Sequence, residues 1–388
     1  MMSQRLLSGL LTAAALGLAG ILCVAPAAAI DLDGVKITPS VGYQGEYDDN
    51  IFRAKNNKQS DYVNHILPAL KIEATPGSSE LEAHASADAM FYSRHTNFNF
   101  VDYTLGGSGK LNLNRLTLRA QEEWRHTNDF PTSNFTDRTP RDENTLGGGF
   151  DFDMAKLWGV GFDYTWDYFH YIDGGYHFLS NNRQTFAPTV FYRLTGKTKL
   201  FAEFDYVSNI YWDDHTRSNN QYKGFLGLKG DVTDYFKVTA KAGWGGLHLT
   251  NSSTADQNAP MAAIEAIYKP IDRLEVVWLL VNDFTFSTDA FNPMIQNLNT
   301  SLGLRYAITP KISLIPNGSF GTSSYPNLSA GQTEKRLDYL FGGGLGLRYD
   351  IMKYVKFEAA YAFQARQSNY DLNNYNDNRV FFTVTLSM

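Results

Sequence analysis

From Leu157 to Phe169 the chain alternates residue by residue. Trp158, Val160, Phe162, Tyr164, Trp166 and Tyr168 fall on one face, with Gly159, Gly161, Asp163, Thr165 and Asp167 on the other. Val355 to Arg366 repeats the scheme, with Val355, Phe357, Ala359, Tyr361 and Phe363 opposed to Lys356, Glu358, Gln364 and Arg366. A period of two is the signature of a strand with two unlike faces. The pattern predicts strands over 35–47, 62–74, 80–93, 101–113, 115–127, 143–154, 157–170, 183–194, 198–211, 220–232, 236–249, 259–270, 273–286, 297–308, 311–323, 336–349, 353–367 and 377–388. Strands of soluble sheets average about 5–6 residues, whereas a tilted strand crossing a bilayer needs about 9–11. Short turns near Pro76-Gly77, Asn114, Thr195-Gly196, Pro270-Ile271 and Ile351-Met352 alternate with longer polar loops, the longest being 48–61 and 128–142. Short turns on one side and long loops on the other are the arrangement of outer-membrane barrels. The expectation is an all-β, single-domain, antiparallel up-and-down transmembrane β-barrel of about eighteen strands, with sixteen as the alternative, both termini returning to the periplasm.

The two ends of the chain agree with an exported barrel. Arg5, an apolar run from Leu6 to Val24 and the small residues Ala25-Pro26-Ala27-Ala28-Ala29 have the three-part layout of a secretory signal peptide, so 1–29 is expected to be cleaved and 30–388 to form the barrel. The single cysteine, Cys23, lies in the segment to be removed, so disulfides and thiolate metal sites are excluded from the mature chain. At the other end Val380, Phe382, Val384, Leu386 and Met388 alternate with Phe381, Thr383, Thr385 and Ser387 up to the last residue. A final amphipathic strand of this kind resembles the signal read by the barrel-assembly machinery, and it must close on the first strand so that no edge stays unpaired in lipid.

Composition sharpens this picture. The chain carries 26 Phe, 23 Tyr and 6 Trp, and 13 Pro in 388 residues. An aromatic-rich exported chain suits outer-membrane lipid as its surroundings. A net charge of -6 gives no reason to expect a nucleic acid partner. The eight His are scattered without metal spacing, and no cofactor or metal is expected. Asp213-Asp214-His215 is the best fragment of a catalytic group, but no partner is placed by sequence, so an enzyme is not expected and no residue is assigned as catalytic. The glycine clusters 147–149 and 342–344 fall inside strands, where Gly eases curvature, and not in phosphate loops.

The polar face supplies the candidate lumen lining: Arg119, Glu123, Arg125, Asp163, Asp167, Glu203, Asp205, Lys223, Lys229, Lys241, Arg305, Lys356 and Glu358. Both signs occur, which points to a wet lumen with ion pairs or a path for a weakly charged solute, where a ring of one sign would mark an ion-selective pore. Trp124, Tyr168, Tyr171, Tyr211 and Trp212 lie near strand ends and are expected to form an interfacial girdle, with stacking on sugars as the other reading. None of the loops reads as a constriction element.

After the first strand comes Tyr47-Asp48-Asp49-Asn50-Ile51-Phe52, then a polar loop and Asp61. Asx residues at such a point readily begin a turn. The stretch, with the whole-chain architecture, resembles the putative β-barrel porin 2 family. The resemblance implies an outer-membrane barrel, often linked to exopolysaccharide or capsule genes, with periplasmic and inner-membrane polysaccharide export proteins as partners. The expected function is therefore a passive conduit in export of an exopolysaccharide or capsule polymer. The alternatives are a general diffusion porin for small hydrophilic solutes and a plugged structural or adhesive surface barrel.

Overall fold

In the computed structural model, which describes residues 30–32, 34–131, 138–251, 256–329 and 331–387, the alternating segments are strands. A short β1 (Ile30–Leu32) precedes β2 (Val35–Asp48), β3 (Asp61–Ala74), β4 (Glu80–Tyr92), β5 (Phe100–Leu113), β6 (Leu116–Thr127), β7 (Arg141–Asp153), β8 (Trp158–Tyr171), β9 (Asn181–Arg193) and β10 (Thr198–Tyr211). There follow β11 (Asn219–Thr233), β12 (Phe236–Leu249), β13 (Gln257–Ile271), β14 (Leu274–Phe286), β15 (Met294–Ala307), β16 (Ile312–Ser324), β17 (Leu337–Met352), β18 (Val355–Ser368) and β19 (Tyr375–Ser387). The eighteen long strands begin and end within three residues of the spans the alternation predicts. The proposed signal segment and Met388 lie outside the described residues.

Each long strand pairs antiparallel with its neighbour in sequence, and β19 pairs with β2 from Arg379↔Asp48 to Ser387↔Ser40, closing the sheet on itself. The alternation did not foretell β1. It pairs with Val35, Lys36 and Ile37 of β2, the stretch of edge that β19 leaves uncovered by ending at Ser40. Closure matters because an unpaired backbone N–H or C=O in hydrocarbon costs several kcal/mol. Connections at one end are two to five residues long and at the other six to thirteen. The tightest join Leu113 to Leu116 directly, and there Asn114 takes φ 52, a left-handed conformation that Asn tolerates better than most residues.

Directly opposed residues carry one face unbroken round the ring. Asp48 faces Asp61, Arg125 faces Glu143, Asp167 faces Arg183, Lys241 faces Ala263, Glu358 faces Thr383, and Arg379 returns to Asp48. This face is the concave one, because side chains on it reach past intervening strands: Lys223 Nζ on β11 donates to Asp283 Oδ1 on β14 at 2.6 Å. The opposite face presents Leu226 (72% exposed), Trp244 and Phe382 outward, the band that lipid requires. Val380, Phe382, Val384 and Leu386 of the closing strand all lie on it, opposed to Tyr47, Gly45, Tyr43 and Val41 of β2.

The two faces predict unequal responses at adjacent positions. Phe382→Arg, near the middle of β19 on the lipid face, is expected to cost about 2–4 kcal/mol of barrel stability. Thr383→Arg, one residue on and facing inward, should cost well under half of that. Reversible unfolding in lipid vesicles measures both, and equal losses would refute the assignment of faces.

Candidate functional site

All thirteen candidate lining residues project from the inner face by register. Arg119, Glu123 and Arg125 stand on β6, Asp163 and Asp167 on β8, Glu203 and Asp205 on β10, Lys223 and Lys229 on β11. Lys241 is on β12, Arg305 on β15, and Lys356 and Glu358 on β18. Most are paired. Arg119 Nη2 reaches Asp163 Oδ1 at 3.0 Å and its Nη1 reaches Asp151 at 3.2 Å. The first contact crosses β7 above Gly149, where a Cβ would sit 2.0 Å from Asp163 Oδ1, so the glycine there makes room for the ion pair. Arg183 Nε donates to Asp167 at 2.9 Å, Arg125 pairs with Glu143 at 3.5 Å, and Lys241 pairs with both Glu203 and Asp205. His84 stands 3.6 Å from Glu123. For Lys229, Arg305, Lys356 and Glu358 no ion pair is found among the described residues. The charged part of the inner face is thus mixed in sign and largely self-neutralised, beside apolar inner residues such as Phe225, Leu247 and Met261.

The motif after β2 has a definite job at the seam. Asp49 Oδ1 accepts from the Asn378 backbone N–H at 2.8 Å and Oδ2 from its side-chain amide at 2.7 Å, while the Asp49 N–H donates to the Asn378 carbonyl. Asn50 is fully buried. Its Nδ2 donates to the carbonyls of Asn376 and Ala54, and its Oδ1 accepts from the Ala54 N–H at 2.9 Å. Gripping both backbone groups of Ala54 bends the chain back, and Arg53 within the bend adopts φ 48. A non-glycine residue in that region costs on the order of 1 kcal/mol and persists only where neighbours enforce it. Tyr47 faces outward, 4.9 Å from Tyr62 ring to ring. Ile51 and Phe52 turn in to pack with Val63, Met90, Tyr92, Phe98 and Phe100. Asp61, also fully buried, accepts from the backbone N–H groups of Arg94 and His95 and binds the next loop to this one.

The loops reach further inward than the sequence suggests. Arg53 from 49–60 lies over the Phe130 ring from 128–140, 3.7 Å from its centroid, and donates to Gln364 Oε1 on β18 at 3.3 Å. Phe130 in turn packs on a cluster of Tyr171, Leu179 and Tyr211, with Phe286 of β14 against the same cluster. Arg53 and Phe130, from two different loops, therefore meet inside the barrel, which loop length alone concealed. Tyr171 and Tyr211, expected in the girdle, are 1% exposed on the inner face, a correction to that reading. Trp124 and Tyr168 do lie on the outer face, and Trp212 packs 5.2 Å from Tyr168. The signal missed was aromatic residues, Phe52 and Phe130, inside otherwise polar loops: they need a partner, and the barrel mouth provides it.

Asp214 lies in the loop between β10 and β11. It accepts from Thr216 N and Arg217 Nε, at 3.2 and 3.0 Å, capping the 3-10 turn His215–Arg217. Although partial burial pushes its pKa up, these partners hold it below the ordinary carboxylate range. Asp213 pairs with His177. Asp48, Asp49 and Asp377 bring carboxylate oxygens within 4.8 Å of one another, the one such group found among the described residues. Asp49 is committed to Asn378 and Asp377 to Arg379 at 3.4 Å, so the trio serves the seam.

Asn50→Ala removes the clamp and leaves the Ala54 and Asn376 groups short of partners. It is expected to cost about 1–3 kcal/mol and to expose 49–60 to protease in the folded barrel. An unchanged cleavage rate would show that the loop is held by its apolar contacts alone.

The fold has solved counterparts. OccAB3 of Acinetobacter baumannii aligns with a TM-score of 0.49 at 10% identity, over 92% of this chain and 100% of that one. OpdK of Pseudomonas aeruginosa gives 0.49 at 12% over 91% and 99%, and a BenF-like porin from Pseudomonas fluorescens Pf-5 gives 0.48 at 9% over 92% and 100%. No curated protein matches the sequence. The family described as "Putative beta-barrel porin 2" matches residues 35–388, the barrel from its first long strand to its last residue, and the chain belongs to that family of outer-membrane β-barrel porins.

Proposed function

We propose that the barrel is a passive channel for small hydrophilic solutes across the outer membrane, with both termini in the periplasm and no chemistry of its own. The observation that carries this reading is the inner wall: charged and polar residues of both signs line it, in a barrel of a strand number that leaves an aqueous bore. Ion pairs between adjacent and next-but-one strands keep the wall near neutrality, so it presents no single-sign ring to reject one class of ion. Two loop residues favour one of the two transport readings. Export of a polymer needs an unobstructed bore, whereas Arg53 and Phe130 meet inside the barrel and narrow it. That favours small solutes over a polysaccharide chain. The barrel-assembly machinery and surrounding lipid are the partners this reading needs.

Planar-bilayer recording joined to sugar uptake by proteoliposomes tests the reading. Stepwise conductance is expected, with uptake falling steeply from monosaccharide to tetrasaccharide. Passage of a long polysaccharide as readily as of a monosaccharide would overturn it in favour of polymer export. A silent bilayer would leave a plugged structural barrel.

A further inference from the structure

Below the meeting point of the loops lies a cavity of ≈ 480 Å³, within the roughly 300–1,000 Å³ range of small-molecule sites. Arg53 is its one charged lining residue among those described. The inner face of β14–β17 adds Leu279, Val281, Asn299, Ser301, Ser319 and Gly342 to its lining. A guanidinium carries five N–H donors in a planar fork. Of these, one is taken by a side chain, the neutral Gln364 Oε1, and Phe130 and Tyr375 supply ring faces 3.7 and 5.7 Å away. Arg119, Arg183, Arg193 and Arg379 each stand within 4.0 Å of a carboxylate, but Arg53 has no such ion pair among the described residues. The nearest acids, Asp48, Asp129 and Asp377, line a separate smaller cavity with Arg138 and Arg379 as well as Arg53. Burial pulls the Arg53 pKa down from its usual value, with Arg379 and Arg138 acting in the same direction and Asp377 against it.

A desolvated, oriented fork that shares its cavity with a neutral, hydroxyl- and amide-bearing wall is complementary to one kind of solute. We propose that Arg53 and that wall form a subsite for small hydroxylated carboxylates within the bore. The carboxylate would take the guanidinium edge, where charge-assisted bidentate contacts are strongest. The hydroxyls would face Asn299, Ser301 and Ser319, and the ring faces of Phe130 and Tyr375 would bound the ligand. This inference rests on the reading of the barrel as a small-solute channel and names the class of solute.

Galacturonate and galactose differ little in size, and the carboxylate is what separates them. In proteoliposomes containing the full barrel and given trace concentrations of each radiolabelled sugar, initial uptake of galacturonate should exceed that of galactose by about tenfold. Arg53→Gln should bring the ratio close to one, and Arg53→Lys, which keeps the charge without the fork, should fall between. Gln364→Glu leaves Arg53 in place but gives it a resident carboxylate, and should lower the ratio as well. Heat-modified gel mobility verifies that each variant is a folded barrel. A ratio near one in the unmodified protein, or a ratio that Arg53→Gln and Gln364→Glu both leave unchanged, would overturn the subsite while leaving the channel intact. Uptake of neither sugar by the unmodified protein would overturn both.

Discussion

Everything in this barrel depends on the pairing of its last strand with its first. In hydrocarbon there is no water to satisfy an open sheet edge, so a chain that crosses by strands must close or fail. The seam between β19 and β2 is held by nine opposed pairs from Arg379↔Asp48 to Ser387↔Ser40, with β1 covering the edge beyond. It joins residues more than three hundred positions apart, which makes it the most entropically demanding contact of the fold. At its loop end Asp49 and Asn50 add a second layer of hydrogen bonds, to Asn378 and Asn376, so that loop and seam form one unit.

Closure divides the side chains into two populations with opposite requirements. Outward positions carry a band of exposed Leu, Phe, Tyr and Trp, the apolar surface that lipid favours. Inward positions can carry charge, provided it is paired or wet. The pairing reaches across strands, as in Arg119 with Asp163 and Lys223 with Asp283, which fixes side chains of β6, β8, β11 and β14 against one another in a way backbone ladders do not. The Arg119–Asp163 pair is exposed enough that it contributes little to stability, whereas Lys223 is buried in its pair with Asp283. Their larger effect is on the field along the bore, which they flatten.

The strands were legible in the sequence because a period of two is enforced twice over, by lipid outside and by water inside. Segments such as 157–170 and 353–367 leave no other reading, and the inner face of all thirteen charged candidates follows from the same parity. What escaped were features set by tertiary contact. β1 exists because β19 stops short of the end of β2, which only the register reveals. Tyr171 and Tyr211 sit at strand ends like girdle residues, but by parity they point inward, a test the alternation already offered and that strand-end position overrode. The inward placement of Arg53 and Phe130 depends on their finding partners on distant strands, and no local pattern encodes that.

The same short motif links closure to the bore. Asn50 is buried because it secures the closing strand, and its amide also holds Ala54, which forces Arg53 into a left-handed conformation. From there its side chain reaches Phe130 and Gln364, and it also lines the smaller cavity that holds Asp48, Asp129 and Asp377. A flexible loop could place an arginine in the lumen only as an average over many positions, with an entropy loss of up to about 2 kcal/mol for each side chain that a solute then had to fix. Tethering the loop to the seam removes most of that loss in advance, because the interaction that the bilayer demands for folding is the one that orients the charge. A stiff selectivity element in this barrel therefore needs no dedicated support of its own.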